Sequence, residues 1–278
     1  MSVTNLKNSE SNLKFKKDFL YNYLLEAPVA LAVERACECE ILAEYEFKTP
    51  VLDIGCGEGV FAHILFDQQI DCGIDPDADE IERAKHYHMY KELIPCYGNA
   101  IPKDNGAFNT IFSNSVLEHI EDLEPVLKEA RRLLADHGNF YVTIPTDKFD
   151  HYTWINQLLT GLRLNKWAAN YRRSFNKFWN HYHYYNREEW AKLFNKAGFD
   201  VVASRDYMPL SLCLFNESFI PLAFPAFVVK RLTGRWFISK SFRKLYVKSL
   251  FSIAQTFINK SKQQKDGGII FFHLVKKG

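Results

Sequence analysis

Val51-Leu52-Asp53-Ile54-Gly55-Cys56-Gly57-Glu58-Gly59 decides how this chain is read. An apolar pair runs into an acidic residue, and glycines then fall at alternate positions. Val60, Phe61, Ile64 and Leu65 continue at the spacing of a helix with one buried stripe. The pattern predicts a buried strand, a turn too tight for a Cβ, and a helix whose free N–H groups face a cleft. Bare backbone at such a turn lets a ligand press directly against it.

Two ligand classes use turns of this kind. A dinucleotide turn reads G-x-G-x-x-G and rests a pyrophosphate on the helix N-terminus. Here the third glycine arrives one place early, Val60 stands in its position, and Asp53 precedes the first glycine by two. An acid there repels a pyrophosphate and suits a ligand carrying an ammonium and a sulfonium. At this point the chain resembles the class I S-adenosylmethionine (SAM)-dependent methyltransferases, whose first motif is hydrophobic-hydrophobic-Asp/Glu-x-Gly-x-Gly-x-Gly.

The following residues extend the pattern. Cys72-Gly73-Ile74-Asp75 reads as a second strand ending in an acid, placed where a carboxylate accepts from both hydroxyls of a ribose. Asp77 opens a helix over 77–90, and a third strand over 94–97 leads into Gly98-Asn99-Ala100-Ile101-Pro102. A fourth strand over 108–113 runs into Asn114-Ser115-Val116-Leu117-Glu118-His119-Ile120. A helix over 122–135 and a fifth strand over 139–145 complete the series. Strands alternating with helices argue for an α/β fold with helices on both faces of a parallel sheet.

From Tyr97 to Pro145 the chain resembles the methyltransferase core closely, and the resemblance covers about 50–208 and 268–276. It implies a doubly wound, mostly parallel seven-stranded sheet in the order 3-2-1-4-5-7-6, strand 7 antiparallel. It also implies SAM as cofactor, held by Asp53, Gly55, Cys56, Gly57, Asp75, Pro76, Asn99, Ala100, Asn114 and Ser115. Asn99 and Ala100 would meet the adenine, and Asn114 and Ser115 would line the cleft floor through their backbone. Gly59 is assigned to close helix–strand packing.

At 278 residues the chain holds one α/β domain of about 150–200 residues plus additions. We expect a helical cover over 1–48, a core of 49–208 and 267–278, and an insert over 209–266. In the cover, Phe19, Leu20, Tyr23 and Leu24, then residues 29–42, suggest two helices, with Pro28 in the first turn of the second. They cover either the cofactor cleft or the sheet alone. Hydrophobic content of 47% suffices for a sizeable core. Residues 1–18 are polar and charged, so no secretory leader is expected. The six cysteines include no C-x-x-C pair, which points to buried, reduced thiols in a cytoplasmic protein.

A net charge of +2 hides an asymmetry. Residues 209–266 carry ten basic side chains against two acidic ones, while the rest holds 25 basic and 31 acidic. That segment also separates strand six, over 199–207, from strand seven, over 268–276, which the family joins in a tight hairpin. So long a structureless loop is improbable, so helices are expected in it. Ile238, Phe242, Leu245, Tyr246, Leu250, Ile253 and Phe257 fall at helical spacing, with Lys240, Arg243, Lys244 and Lys248 largely off that line. Upstream, Asn216, Glu217, Pro221 and Pro225 interrupt an apolar run too short to span a bilayer. Two readings stay open: a cap with solvated cations, and a basic patch with Trp236 and Phe237 on an anionic membrane surface at the inner face. No nucleic-acid partner is expected, because the cations do not interleave with a stacking platform.

Residues 146–186 are dense in aromatics and follow a central strand at its carboxyl end, where open α/β sheets place their crevice. They are the expected lid and acceptor wall. Methyl transfer asks mainly for positioning, and a hydroxyl acceptor gains about 10²–10⁴-fold from a general base. His119 and His181 are the catalytic candidates, with His183 also in reach. In the ubiquinone-pathway O-methyltransferases a similar Leu-Glu-His contributes to a metal site with a second Glu three residues earlier. That position here is Ser115, so no metal is expected. The expectation is therefore a SAM-dependent methyltransferase acting on a small or lipid-like acceptor at oxygen. The rivals are a SAM-binding scaffold without transfer and a nicotinamide-dependent oxidoreductase.

Overall fold

The computed structural model describes residues 11–234, 236–237 and 240–277. Seven strands form one sheet in the order β3-β2-β1-β4-β5-β7-β6. They are β1 (Val51–Ile54), β2 (Ile70–Asp75), β3 (Tyr90–Pro95), β4 (Phe108–Asn114), β5 (Leu134–Pro145), β6 (Phe199–Tyr207) and β7 (Ile269–Lys276). Strands β1 to β5 pair in parallel, and β7 runs antiparallel between β5 and β6. This is the expected order and direction.

Helices lie on both faces. One core gathers α1 (Phe19–Glu26), α2 (Val29–Leu42), α3 (Val60–Leu65) and α4 (Ala78–Ala84) around Phe47, Phe66 and Phe112. The other packs α5 (Leu123–Leu133) and α8 (Arg187–Lys196) through Val126, Leu127, Trp190 and Phe194. Parallel strands covered on both sides become continuous apolar runs, as Val51, Leu52 and Ile54 show.

Several boundaries depart from expectation. β3 starts at Tyr90 and ends at Pro95, because Tyr90 is buried beside Gly73 and extends the pairing backward. α4 stops at Ala84 and gives way to a 3-10 turn over Lys85–Tyr87. β5 begins at Leu134, and the pairing with β4 shifts register between Phe108 and Thr110. Gly138 sits within this strand, where a Cβ would approach Asn109 O to 2.9 Å. Pro28 is the N-cap of α2 rather than a residue of its first turn.

The insert folds into α9 (Leu210–Glu217), α10 (Ile220–Thr233) and α11 (Lys240–Ser261). Pro225 lies inside α10 and does not interrupt it; the break falls at 218–219, and α9 and α10 meet at 55°. No single described helix is long and apolar enough to cross a membrane. Ile238 of the expected stripe lies outside the described residues. Of the cations expected to be solvated, Lys244 and Lys248 are exposed, but Arg243 is buried. Its guanidinium donates to Leu24 O at 2.7 Å and Ala27 O at 3.0 Å, closing the C-terminal turn of α1.

Candidate active site

The glycine turn forms at the carboxyl end of β1, where the strand order reverses between β1 and β4. Gly55 and Gly57 have φ of 81° and 50°, a region that L side chains enter at a cost. Gly55 N and Cys56 N both donate to Ile74 O at 2.9 Å, which ties the turn to β2. A Cβ on Gly55 would stand 2.4 Å from Val116, so the loop after β4 lies directly over the turn. Among the described residues a Cβ on Gly57 would meet nothing within 4 Å, so here bare backbone stands clear of them. At Gly59 the neighbours are Ala84 of α4 at 3.1 Å and Tyr90 of β3 at 3.3 Å, so the close packing involves a helix as well as the expected strand.

Asp75 ends β2 and fixes the turn from the other side. Its Oδ2 accepts from Gly57 N at 3.0 Å and its Oδ1 from Asp77 N at 2.9 Å. The N-cap of α4 is Asp77, which accepts from Asp79 N and Glu80 N. A carboxylate offers about four acceptor positions, so Asp75 retains two for a ligand. Asp53 is buried at the end of β1 and accepts from the Tyr90 hydroxyl at 2.7 Å. Burial pushes its carboxyl up to about 7, against the downward pull of the Tyr90 bond. Cys56 is buried, Pro76 and Asn99 are exposed, and Gly98 brings the 97–101 loop to within van der Waals reach of Ile54.

Glu38 of α2 is a hub that the sequence reading did not single out. It is fully buried and accepts from Arg35 Nη1 at 2.8 and 3.0 Å, Asn114 Nδ2 at 2.8 Å, and Ser115 Oγ at 3.0 Å. The Tyr207 hydroxyl donates to it from 3.3 Å. The side chains of Asn114 and Ser115 are thus occupied by α2, and Ser115 takes a φ of 51° to make the contact. Burial also raises Glu34, and lifts Glu118 to about 8; among the described residues Glu118 Oε2 has no hydrogen-bond partner. Glu34, Glu38 and Glu118 gather around Arg35, while Asp53 and Asp75 face each other across the glycine turn. The only trace in the sequence is charge within a buried helix, Glu34-Arg35 and Glu38 among alanines and cysteines.

The fourth-strand loop brings together two of the three candidate histidines. His119 and His181 have ring centroids 5.1 Å apart, and His181 also packs on Phe149 and Phe175. Nδ1 of His119 lies 3.3 Å from Asn180 O, and Nδ1 of His181 lies 3.3 Å from Asn176 Oδ1. Burial lowers both rings, His181 to about 4, so each is neutral near pH 7. His183 turns away, with Nε2 at 2.9 Å from Ile120 O and Nδ1 at 3.1 Å from the Tyr185 hydroxyl. It is a structural residue. Glu118, His119 and His181 bring one ligand atom each within 4.8 Å of the others, a donor set able to hold a divalent ion. The third donor is His181, from the lid.

The aromatic region divides. Phe149, Tyr171, Phe175 and His181 pack together as an inner wall. Trp154, Trp167, Phe178 and Trp179 are exposed, so much of the expected lid faces outward. From the insert, Lys230 Nζ pairs with Glu58 Oε1 at 2.9 Å and lies over the Trp236 ring, which sets the end of α10 beside the glycine turn. A surface depression of about 990 Å³ lies elsewhere: Lys128, Arg131, Lys196 and Lys276 line it at the opposite end of the sheet. Its lysines largely pair with neighbouring acids, and it has no part in the site.

The sequence model of a methyltransferase domain family matches residues 29–204. A ubiquinone biosynthesis O-methyltransferase of Pelagibacter ubique is 31% identical over 96 residues, covering 33% of this chain and 40% of the relative. A sarcosine/dimethylglycine N-methyltransferase of Halorhodospira halochloris is 29% identical over 136 residues, covering 45% and 48%. The chain thus spans less than half the length of these two relatives. A Haemonchus contortus phosphoethanolamine N-methyltransferase, solved with S-adenosylhomocysteine, superposes with a TM-score of 0.53 at 18% identity, covering 94% of this chain and 57% of that one. A SAM-dependent methyltransferase from Thermotoga maritima gives 0.50 at 18% identity, covering 93% of each chain. These two similarities concern the fold.

Proposed function

This chain belongs to the methyltransferase domain family, and we propose that it is a SAM-dependent enzyme that methylates a small or lipid-like acceptor at oxygen beside His119. The observation that carries the proposal is the His119–His181 pair, ring centroids 5.1 Å apart, at the end of the loop that crosses the glycine turn.

The residues of the turn fit the cofactor. Gly57 offers backbone with room against it, and Asp53 and Asp75 offer carboxyl groups whose ionised form an ammonium and a sulfonium would favour. In this reading Asp53 meets the ammonium, Asp75 gives its two remaining acceptor positions to the ribose, and Asn99 with Ala100 flanks the adenine. Cys56, Pro76, Asn114 and Ser115 contribute backbone to the same crevice. When bound, SAM supplies a methyl group already activated on sulfur.

The chain then has to orient an acceptor and take its proton. With Nδ1 of His119 turned to a carbonyl oxygen, its Nε2 is the free base. A proton taken there makes an imidazolium 3.6 Å from Glu118 Oε1, whose ionised form it stabilises. The inner wall of Phe149, Tyr171 and Phe175 supplies an apolar, ring-accepting surface that excludes water. This favours an acceptor with an apolar body over a protein.

Calorimetry with SAM and transfer of an isotope-labelled methyl into a metabolite and lipid extract test the proposal together. Asp53→Asn should weaken SAM about 10- to 100-fold, the loss of one hydrogen bond to a charged group. His119→Ala should leave SAM affinity intact and slow transfer at least about 100-fold. The chemical shift of the labelled carbon identifies the accepting atom. A methyl found on nitrogen or carbon overturns the oxygen assignment, and SAM binding without any transfer supports the scaffold rival.

A further inference from the structure

Two stretches of this chain contain no acidic residue: 151–187 and 218–265. Each also carries apolar side chains that the fold leaves uncovered. In the first, α6 (Trp154–Gly161) and α7 (Asn165–Phe178) form a hairpin. Leu158, Leu162, Leu164 and Trp167 near its tip are between 41% and 67% exposed. Arg163 and Lys166 stand among them, also exposed. In the second, α10 buries only Ala226, while Leu222, Phe224 and Leu232 are 67% to 78% exposed and Arg231 is exposed beside them.

The two elements spring from one corner. The Trp154 ring nitrogen, at the start of α6, donates to Leu214 O and Ser218 Oγ at 2.9 Å, at the junction of α9 and α10. Trp154 N donates to Glu217 there, which engages that acid. Monomeric surfaces rarely leave large apolar patches uncovered, and each of these elements exposes several large apolar side chains. The charge selects the occupant. A second copy of this chain would bring the same unneutralised cations to the face, whereas anionic lipid headgroups complement them. Large apolar side chains, indoles and interspersed Arg and Lys are the composition of segments that lie in a bilayer interface.

We propose that the α6–α7 tip and α10 together bed into the interfacial layer of an anionic phospholipid bilayer. Neither element crosses it. α11 takes no part through Arg243, which α1 holds, and in this it behaves as the cap described above. Attachment stands apart from methyl transfer, and it is measured without cofactor or acceptor.

The test is cosedimentation of the full chain with vesicles of phosphatidylcholine alone and of phosphatidylcholine mixed with phosphatidylglycerol. Wild type should partition at least tenfold more strongly onto the anionic vesicles, and raising salt should weaken it. The paired variants Leu162→Glu with Trp167→Glu, and Leu222→Glu with Phe224→Glu, should each lower partitioning at least tenfold. Both should keep wild-type SAM affinity, which shows that they are folded. Wild type remaining in the supernatant, or either variant pair binding as wild type does, overturns the proposal. So does a dimer in solution that these variants split into monomers, because the face then belongs to a second copy.

Discussion

Gly55 and Gly57 look alike in sequence and do different things. At Gly55 the missing Cβ makes room for Val116, and at Gly57 it leaves backbone open to a ligand. Gly57→Ala should therefore fold with a loss of about 1–2 kcal/mol, the cost of a left-handed alanine. Its SAM affinity should fall at least tenfold. Gly55→Ala overlaps Val116 and must displace the loop that carries Glu118 and His119, so it should lose both stability and transfer. Thermal denaturation and calorimetry on the pair separate the two roles. Spacing made Asp53, Asp75 and the glycines legible in the sequence, because backbone geometry at a tight turn restricts residue type. Glu38 was not legible: its partners Asn114, Ser115 and Tyr207 lie 76 to 169 residues away. No local pattern records a contact made by the fold.

Among the elements, α11 shows how a helix with exposed cations can still be structural. Arg243 lies against two carbonyls of the α1 C-terminus with its charge buried. Arg243→Ala would leave those carbonyls without their donor and open a void under α11. We expect a loss of about 2–4 kcal/mol in denaturant unfolding, from two hydrogen bonds to a charged donor. Arg243→Lys should recover only part of it, since an ammonium lacks the planar fork. Helical periodicity foretold α11, and alternation of strands with helices foretold the sheet. The ends of β3 and β5 were less visible. Tyr90 belongs to its strand because of what it covers, and a glycine at 138 sits in a strand only because Asn109 comes so close. For the lid, aromatic density was legible but direction was not, since outward and inward rings read the same along the chain.

For the molecule as a whole, the buried carboxyls set a pH dependence. Asp53 and Glu118 have folded-state values of about 7 and about 8, above those of an unfolded chain. Between about pH 4 and those values the folded form binds more protons than the unfolded form, so stability falls as pH rises. Each group contributes a slope of at most about 1.4 kcal/mol per pH unit. The melting temperature of the cofactor-free protein should therefore drop from pH 5 to pH 8, and Glu118→Gln should flatten the decline. The sheet bears on a different property. β6 ends at Tyr207 and β7 begins at Ile269, and these two residues pair directly across the ladder. The polypeptide consequently departs and returns through neighbouring rungs, and the pendant between them leaves the ladder itself uninterrupted. Lengthening, trimming or exchanging that pendant changes what shelters the doorway and what the enzyme leans on, while the strand order behind it stays as it is.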